Sequence, residues 1–116
     1  MNFNFPDISS LLSEAGKENL YKNLIHQLNK DFKFSNINEE YDEDIAPVKL
    51  KRDLHELIYR LIHEKFNDYL NLLYIIDVPE KQVKELDGFD VVKLSEQVVF
   101  LILKREWQKV WFKNKT

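Results

Sequence analysis

Cysteine is absent from the 116 residues, which excludes disulfides and thiolate metal sites. That absence fits a reducing compartment. Glycine occurs only at Gly16 and Gly88, and proline only at Pro6, Pro47 and Pro79. All-β domains turn often and use more of both, so a β fold is disfavoured. With so little glycine, neither a phosphate-cradling Walker loop nor a dinucleotide-binding G-x-G-x-x-G can be written. No serine stands in a G-x-S-x-G elbow. Met1 to Ser10 lack a basic region followed by an apolar block, so no signal peptide is expected. The longest apolar run, Val98 to Leu103, is far short of the roughly 18 residues of a spanning helix. A cytoplasmic protein is expected. The formal net charge is −3, and nothing in that global balance calls for nucleic acid.

What remains is a chain rich in helix formers, 44% apolar and 32% charged, as expected of an ordinary globular sequence. Its length suits one domain over residues 1–116. Residues 1–6 read as an extended strap, with Phe3 and Phe5 docking on the body. Asp7 can cap a short helix whose stripe is Ile8, Leu11, Leu12 and Ala15. Past Gly16 a second stripe runs through Leu20, Tyr21, Leu24, Ile25, Leu28 and Phe32, rotated by over a quarter turn. A break near Gly16 resolves the mismatch, giving helices over 8–15 and 17–31. Residues 35–46 carry Glu39, Glu40, Asp42, Glu43 and Asp44 around Tyr41, and predict a long exposed connection.

Pro47 suits a first helical turn. The spacing from Leu54 to Ile76 predicts a single long helix over 47–76, with Glu56, Arg60 and Glu64 on its solvent side. A short helix follows over 79–86, ended by Asp87-Gly88, and Asp90 caps a last helix over 91–113. Because Val98 to Leu103 is apolar in every direction, that helix is central or covered by another chain. The expectation is an all-α, irregular bundle of about five helices. Two long antiparallel ones form its centre, with one medium and two short ones around them.

Chemistry is hard to find. His26 and His63 fall on polar faces, where solvated positions account for them. His55 and His63, eight residues apart, stand roughly 12 Å apart along a helix, too far to share a metal ion. Tyr59 and Asn67 occupy the places where a zinc helix needs its second histidine, and no Glu-x-x-His occurs. Asp77, Asp87 and Asp90 do not match a calcium loop; caps and turns explain them. No catalytic residue, metal site or cofactor is assigned, and the chain is not expected to be an enzyme. His55, Lys65 and Tyr69 form the one candidate polar site on an apolar face. Lys65 falls near the middle of the apolar arc. It reads as a lysine snorkelling over apolar surface, or as an ion-pair partner of Asp68, Glu96 or Glu106.

The C-terminal segment interleaves Lys104, Arg105, Lys109, Lys113 and Lys115 with Trp107, Trp111 and Phe112. Such a mixture can grip phosphate backbones and stack bases, but cations also complement a helix C-terminus. The basic residues do not share one face, which disfavours a membrane-surface helix. The leading expectation is a non-enzymatic interaction module that pairs as a homodimer. Its surface is Phe100, Leu103, Trp107, Trp111 and Phe112, with Lys109 reaching the partner's acidic loop. The alternative is a nucleic-acid-associated accessory protein.

Overall fold

The computed structural model describes residues 3–86 and 88–115 of the chain. Among them are six α-helices and no strand: α1 (Ile8–Lys17), α2 (Tyr21–Phe34), α3 (Pro47–Glu64), α4 (Phe66–Ile76), α5 (Glu80–Lys84) and α6 (Val91–Lys115). Local chemistry sets several boundaries as expected. The Asp7 carboxylate accepts from the Ser10 amide at 2.8 Å, and Pro47 occupies the first turn of α3. The Asp90 carboxylate accepts from the Val92 and Lys93 amides at 3.0 and 3.2 Å, opening α6. The turn expected at Asp87 lies outside the described residues.

The all-α, irregular bundle is as the sequence predicts, and α6 is its axis. It packs against each of the other five helices, most extensively against α3. Val98, Val99, Ile102, Leu103, Trp107 and Val110 of α6 are buried in the core with Leu24, Leu28, Phe32, Leu54, Ile58 and Leu72. A helix apolar all round needs neighbours on every side, and here it has them. Helices α2 and α6 run antiparallel, since Asp31 meets Lys109 while Asn23 meets Asn114. The strap docks: the Phe3 ring lies 5.7 Å from that of Phe112, and Phe5 packs on the core edge.

Three expectations change. The 47–76 helix is two helices, broken at Lys65, whose φ of −142° and ψ of 62° leave the α region. Lys65 would otherwise sit mid-way across the buried arc. Burying an ammonium without a partner is costly, and the break puts it in water instead. Glu106 is not its partner. The first two helices part not at Gly16, which is helical, but at Asn19, which takes a left-handed φ of 58°. The 35–46 connection is anchored rather than loose. Ile37 and Tyr41 are buried, and the Tyr41 ring meets Phe32 edge-on at 5.8 Å.

Candidate functional site

The three side chains of the candidate polar site go to different places: one into a contact with α6, one into solvent and one into the core. His55 is half-buried on α3, where Nε2 lies 2.8 Å from Ser95 Oγ and 3.1 Å from the Val92 carbonyl. The Ser95 hydroxyl itself donates to that carbonyl at 2.8 Å, so the imidazole N–H donates to the serine oxygen. Ser95 is fully buried, and the pair pins α3 to the start of α6 rather than facing a substrate. Lys65 is exposed at the α3–α4 break. Tyr69 is buried on α4, and burial raises its hydroxyl pKa. His26 and His63 are exposed, as expected: His26 pairs with Glu43 at 2.8 Å, and the His63 ring lies tilted against Tyr59 with centroids 4.5 Å apart. Among the described residues no three histidine, cysteine, aspartate or glutamate side chains gather to hold a metal ion.

The C-terminal residues divide. Leu103 and Trp107 are fully buried in the chain's own core, so neither stands at the surface to meet a partner or a base. Phe100 and Trp111 are half-buried at its edge, and Phe112 lies against Phe3. The cations are largely engaged within the chain. Arg105 binds the Asp77 carbonyl and carboxylate at 3.0 and 3.1 Å, and Lys115 pairs with Glu18 at 3.2 Å over the Trp111 ring.

Lys109 belongs to a buried cluster that sequence spacing did not reveal. Its ammonium lies 2.7 Å from the Asp31 carboxylate on α2 and 2.8 Å from that of Glu106, one turn back on α6. Gln27 donates to the same Asp31 oxygen at 3.2 Å, and the Ser35 hydroxyl donates to the Asp31 carbonyl at 2.7 Å. Glu106 is 0% exposed and neither of its oxygens has an aligned donor. Burial, with the neighbouring Asp31 charge, pushes its carboxyl up to about 9. Burial beside the Asp31 charge thus favours the protonated, neutral form of Glu106. Asp31 resists the desolvation that alone would raise it. Hydrogen bonds from Glu106, Lys109 and Gln27 hold it below the usual carboxylate range. With Glu106 protonated, the cluster carries one negative and one positive charge.

The most unusual surface is on α4. Its exposed residues are Phe66, Asn67, Leu70, Asn71 and Tyr74, none of them charged. Each of the other five helices exposes at least one charged side chain. Phe66, Leu70 and Tyr74 are spaced i, i+4, i+8, one line along the helix, and Tyr74 is 81% exposed. On an unbroken 47–76 helix Phe66 and Leu70 count as core. The turn at Lys65 leads the buried stripe of α4 through Tyr69, Leu72, Leu73 and Ile76 and leaves the other line outside.

Several clefts flank α2. One, of about 690 Å³, lies against residues 36–40 and is lined by charges of both signs: Lys30, Lys33, Glu39 and Glu40. Another, of about 190 Å³, lies between α2 and the end of α6. No helix among the described residues is long and apolar enough to cross a membrane. No protein-family model matches the chain, and neither a curated protein nor a solved structure is detectably similar to it.

Proposed function

We propose that the protein is a non-enzymatic interaction module that self-associates through α4, in the reducing interior that a cysteine-free chain suits. One observation carries the reading: the uncharged outer face of α4, on a chain that is 32% charged. Leu70 stands at its centre with an aromatic ring one turn to either side. Antiparallel pairing across a two-fold axis at Leu70 places leucine on leucine and sets Phe66 opposite Tyr74 of the second copy. Homotypic contact through a charged face brings like charges together; this face has none to repel. Aromatic rings over an aliphatic centre also match the composition of interface cores. An eleven-residue helix presents less than the about 800 Å² per partner of a standard interface. The pairing is therefore weak and concentration-dependent.

Sedimentation equilibrium across a wide concentration range tests this reading. The unaltered chain is expected to move from monomer to dimer in the micromolar range. Leu70→Lys is expected to stay monomeric with unchanged helical circular dichroism, because Leu70 is already half-exposed. A monomeric mass for the unaltered chain at high micromolar concentration overturns the proposal, as does a dimer that Leu70→Lys leaves intact.

A further inference from the structure

The cleft between α2 and the end of α6 is lined by Asn23, His26, Gln27, Lys30, Val110, Lys113 and Asn114. Although acids outnumber bases in the chain as a whole, 20 to 17, no carboxylate lines this cleft. Lys30 and Lys113 face it from opposite helices, and neither makes an ion pair among the described residues. Most other cations on this side of the molecule are matched. Lys22 pairs with Glu43 and Asp44, His26 pairs with Glu43, and Lys109 pairs with Asp31.

The ground behind the cleft does not oppose an anion either. Behind the Gln27 side chain, the Asp31–Lys109–Glu106 cluster has no net charge while Glu106 holds its proton. Two unmatched ammonium groups lining one cleft attract an anion placed between them. At about 190 Å³ the gap has room for about six waters by volume, enough for a tetrahedral oxyanion and a few of its waters.

We propose that this cleft binds a phosphate group of a small molecule, clamped between Lys30 of α2 and Lys113 of α6. Asn23 supplies a further donor at the rim: its amide makes only a long contact of 3.5 Å to Asn114. Val110 provides an apolar wall that limits competing water. The site lies on α2 and α6, whereas the self-association face is on α4, so either proposal can fail without the other.

The test is amide chemical-shift mapping of the full chain as inorganic phosphate replaces chloride at constant ionic strength. Saturable shifts are expected in residues 23–30 and 110–114. Lys30→Gln and Lys113→Gln are each expected to weaken the titration about tenfold, the loss of one charge-assisted hydrogen bond. Lys93→Gln, at the far end of α6, is expected to change nothing. The same titration with a short single-stranded oligonucleotide separates a small-molecule site from a polyanion surface. Shifts that fail to saturate overturn the proposal, as does a response to chloride equal to that with phosphate. It is also overturned if Lys30→Gln and Lys113→Gln titrate unchanged, or if only the oligonucleotide binds, with shifts spread along α6 to Lys104.

Discussion

A chain with two glycines must make its left-handed turns with other residues, and among the described residues three do so: Asn19, Asn36 and Asp77, with φ of 58°, 59° and 70°. Each ends a helix in the same way. The next residue (Leu20, Ile37 or Val78) returns its amide to a carbonyl five residues back, at 2.9 to 3.0 Å, and buries its side chain. This is the Schellman closure with its apolar follower, and asparagine and aspartate tolerate it better than other non-glycine residues. Asn36 makes no side-chain hydrogen bond that Asn36→Gly would remove, so the left-handed conformation dominates its substitutions. Asn36→Ala is expected to cost about 1 kcal/mol in chemical denaturation, whereas Asn36→Gly costs nothing or stabilises. Equal losses for both would mean the side chain, not the backbone, matters there. Gly16 gives the opposite sign. It is helical, exposed, and a Cβ built on it meets nothing within 4 Å. Gly16→Ala is expected to stabilise by about 0.5–1 kcal/mol. A loss would restore the kink that its place between two stripes suggests. The phase change between those stripes was legible in the sequence. Its position was not, because glycine drew the eye from Asn19-Leu20, an asparagine before a lone leucine.

Among the elements, the apolar stripes were readable and the breaks between them were not. Leu50, Leu54, Leu57, Ile58 and Leu61 define one buried direction, while Tyr69, Leu72, Leu73 and Ile76 define another, turned by about 70° on a continuous helix. That offset, with a lysine in mid-arc, is the signal that α3 and α4 are separate, and it is what exposes the uncharged face of α4. The 35–46 segment hid its order behind its charges. Asn29 of α2 holds it as a neighbouring strand would, its amide donating to the Tyr41 carbonyl at 2.8 Å and its oxygen accepting the Tyr41 amide at 2.9 Å. Tyr21 adds a hydroxyl bond to the Ile45 carbonyl at 2.7 Å. The acidic side chains, by contrast, face exposed partners: Glu39 meets Arg60 at 3.2 Å, and Glu43 and Asp44 meet Lys22 and His26. Such pairs contribute little when screened. Neutralising all five acids is therefore expected to cost no more than about 1 kcal/mol at moderate salt. Asn29→Ala, which strands a partly buried backbone amide, is expected to cost about 2 kcal/mol. If the ranking of these two variants reverses in urea denaturation, charge rather than backbone pairing orders the segment.

At the scale of the whole molecule, the buried Asp31–Lys109–Glu106 cluster joins α2 to α6, and its raised Glu106 makes the fold's stability depend on pH in a specific direction. Glu106 titrates near 9 in the folded chain against an ordinary value of 4.5. The folded state therefore holds a proton that the unfolded chain releases. Its contribution is complete below about 4.5 and is lost as pH rises toward 9. Asp31 works from the other side. Its value lies below 3.8, so its contribution is present above that value and lost as pH falls through the folded one. Lys109, desolvated but facing Asp31 and Glu106, is held above 10.5 and adds a further loss only in strong alkali. Stability from this cluster is thus greatest in mild acid and declines across the neutral range. Its slope cannot exceed about 1.4 kcal/mol per pH unit, the limit for one proton. Glu106→Gln separates this effect from every other titrating group. The amide keeps the shape, offers N–H donors beside Asp31, and cannot ionise. Its thermal midpoint is expected to be nearly flat between pH 5 and pH 9 where that of the unaltered chain falls, so that the variant is the more stable protein at pH 9. Parallel curves would show that Glu106 is already ionised at neutral pH. In that case Lys109 neutralises two carboxylates, and the ground behind the phosphate cleft carries a negative charge.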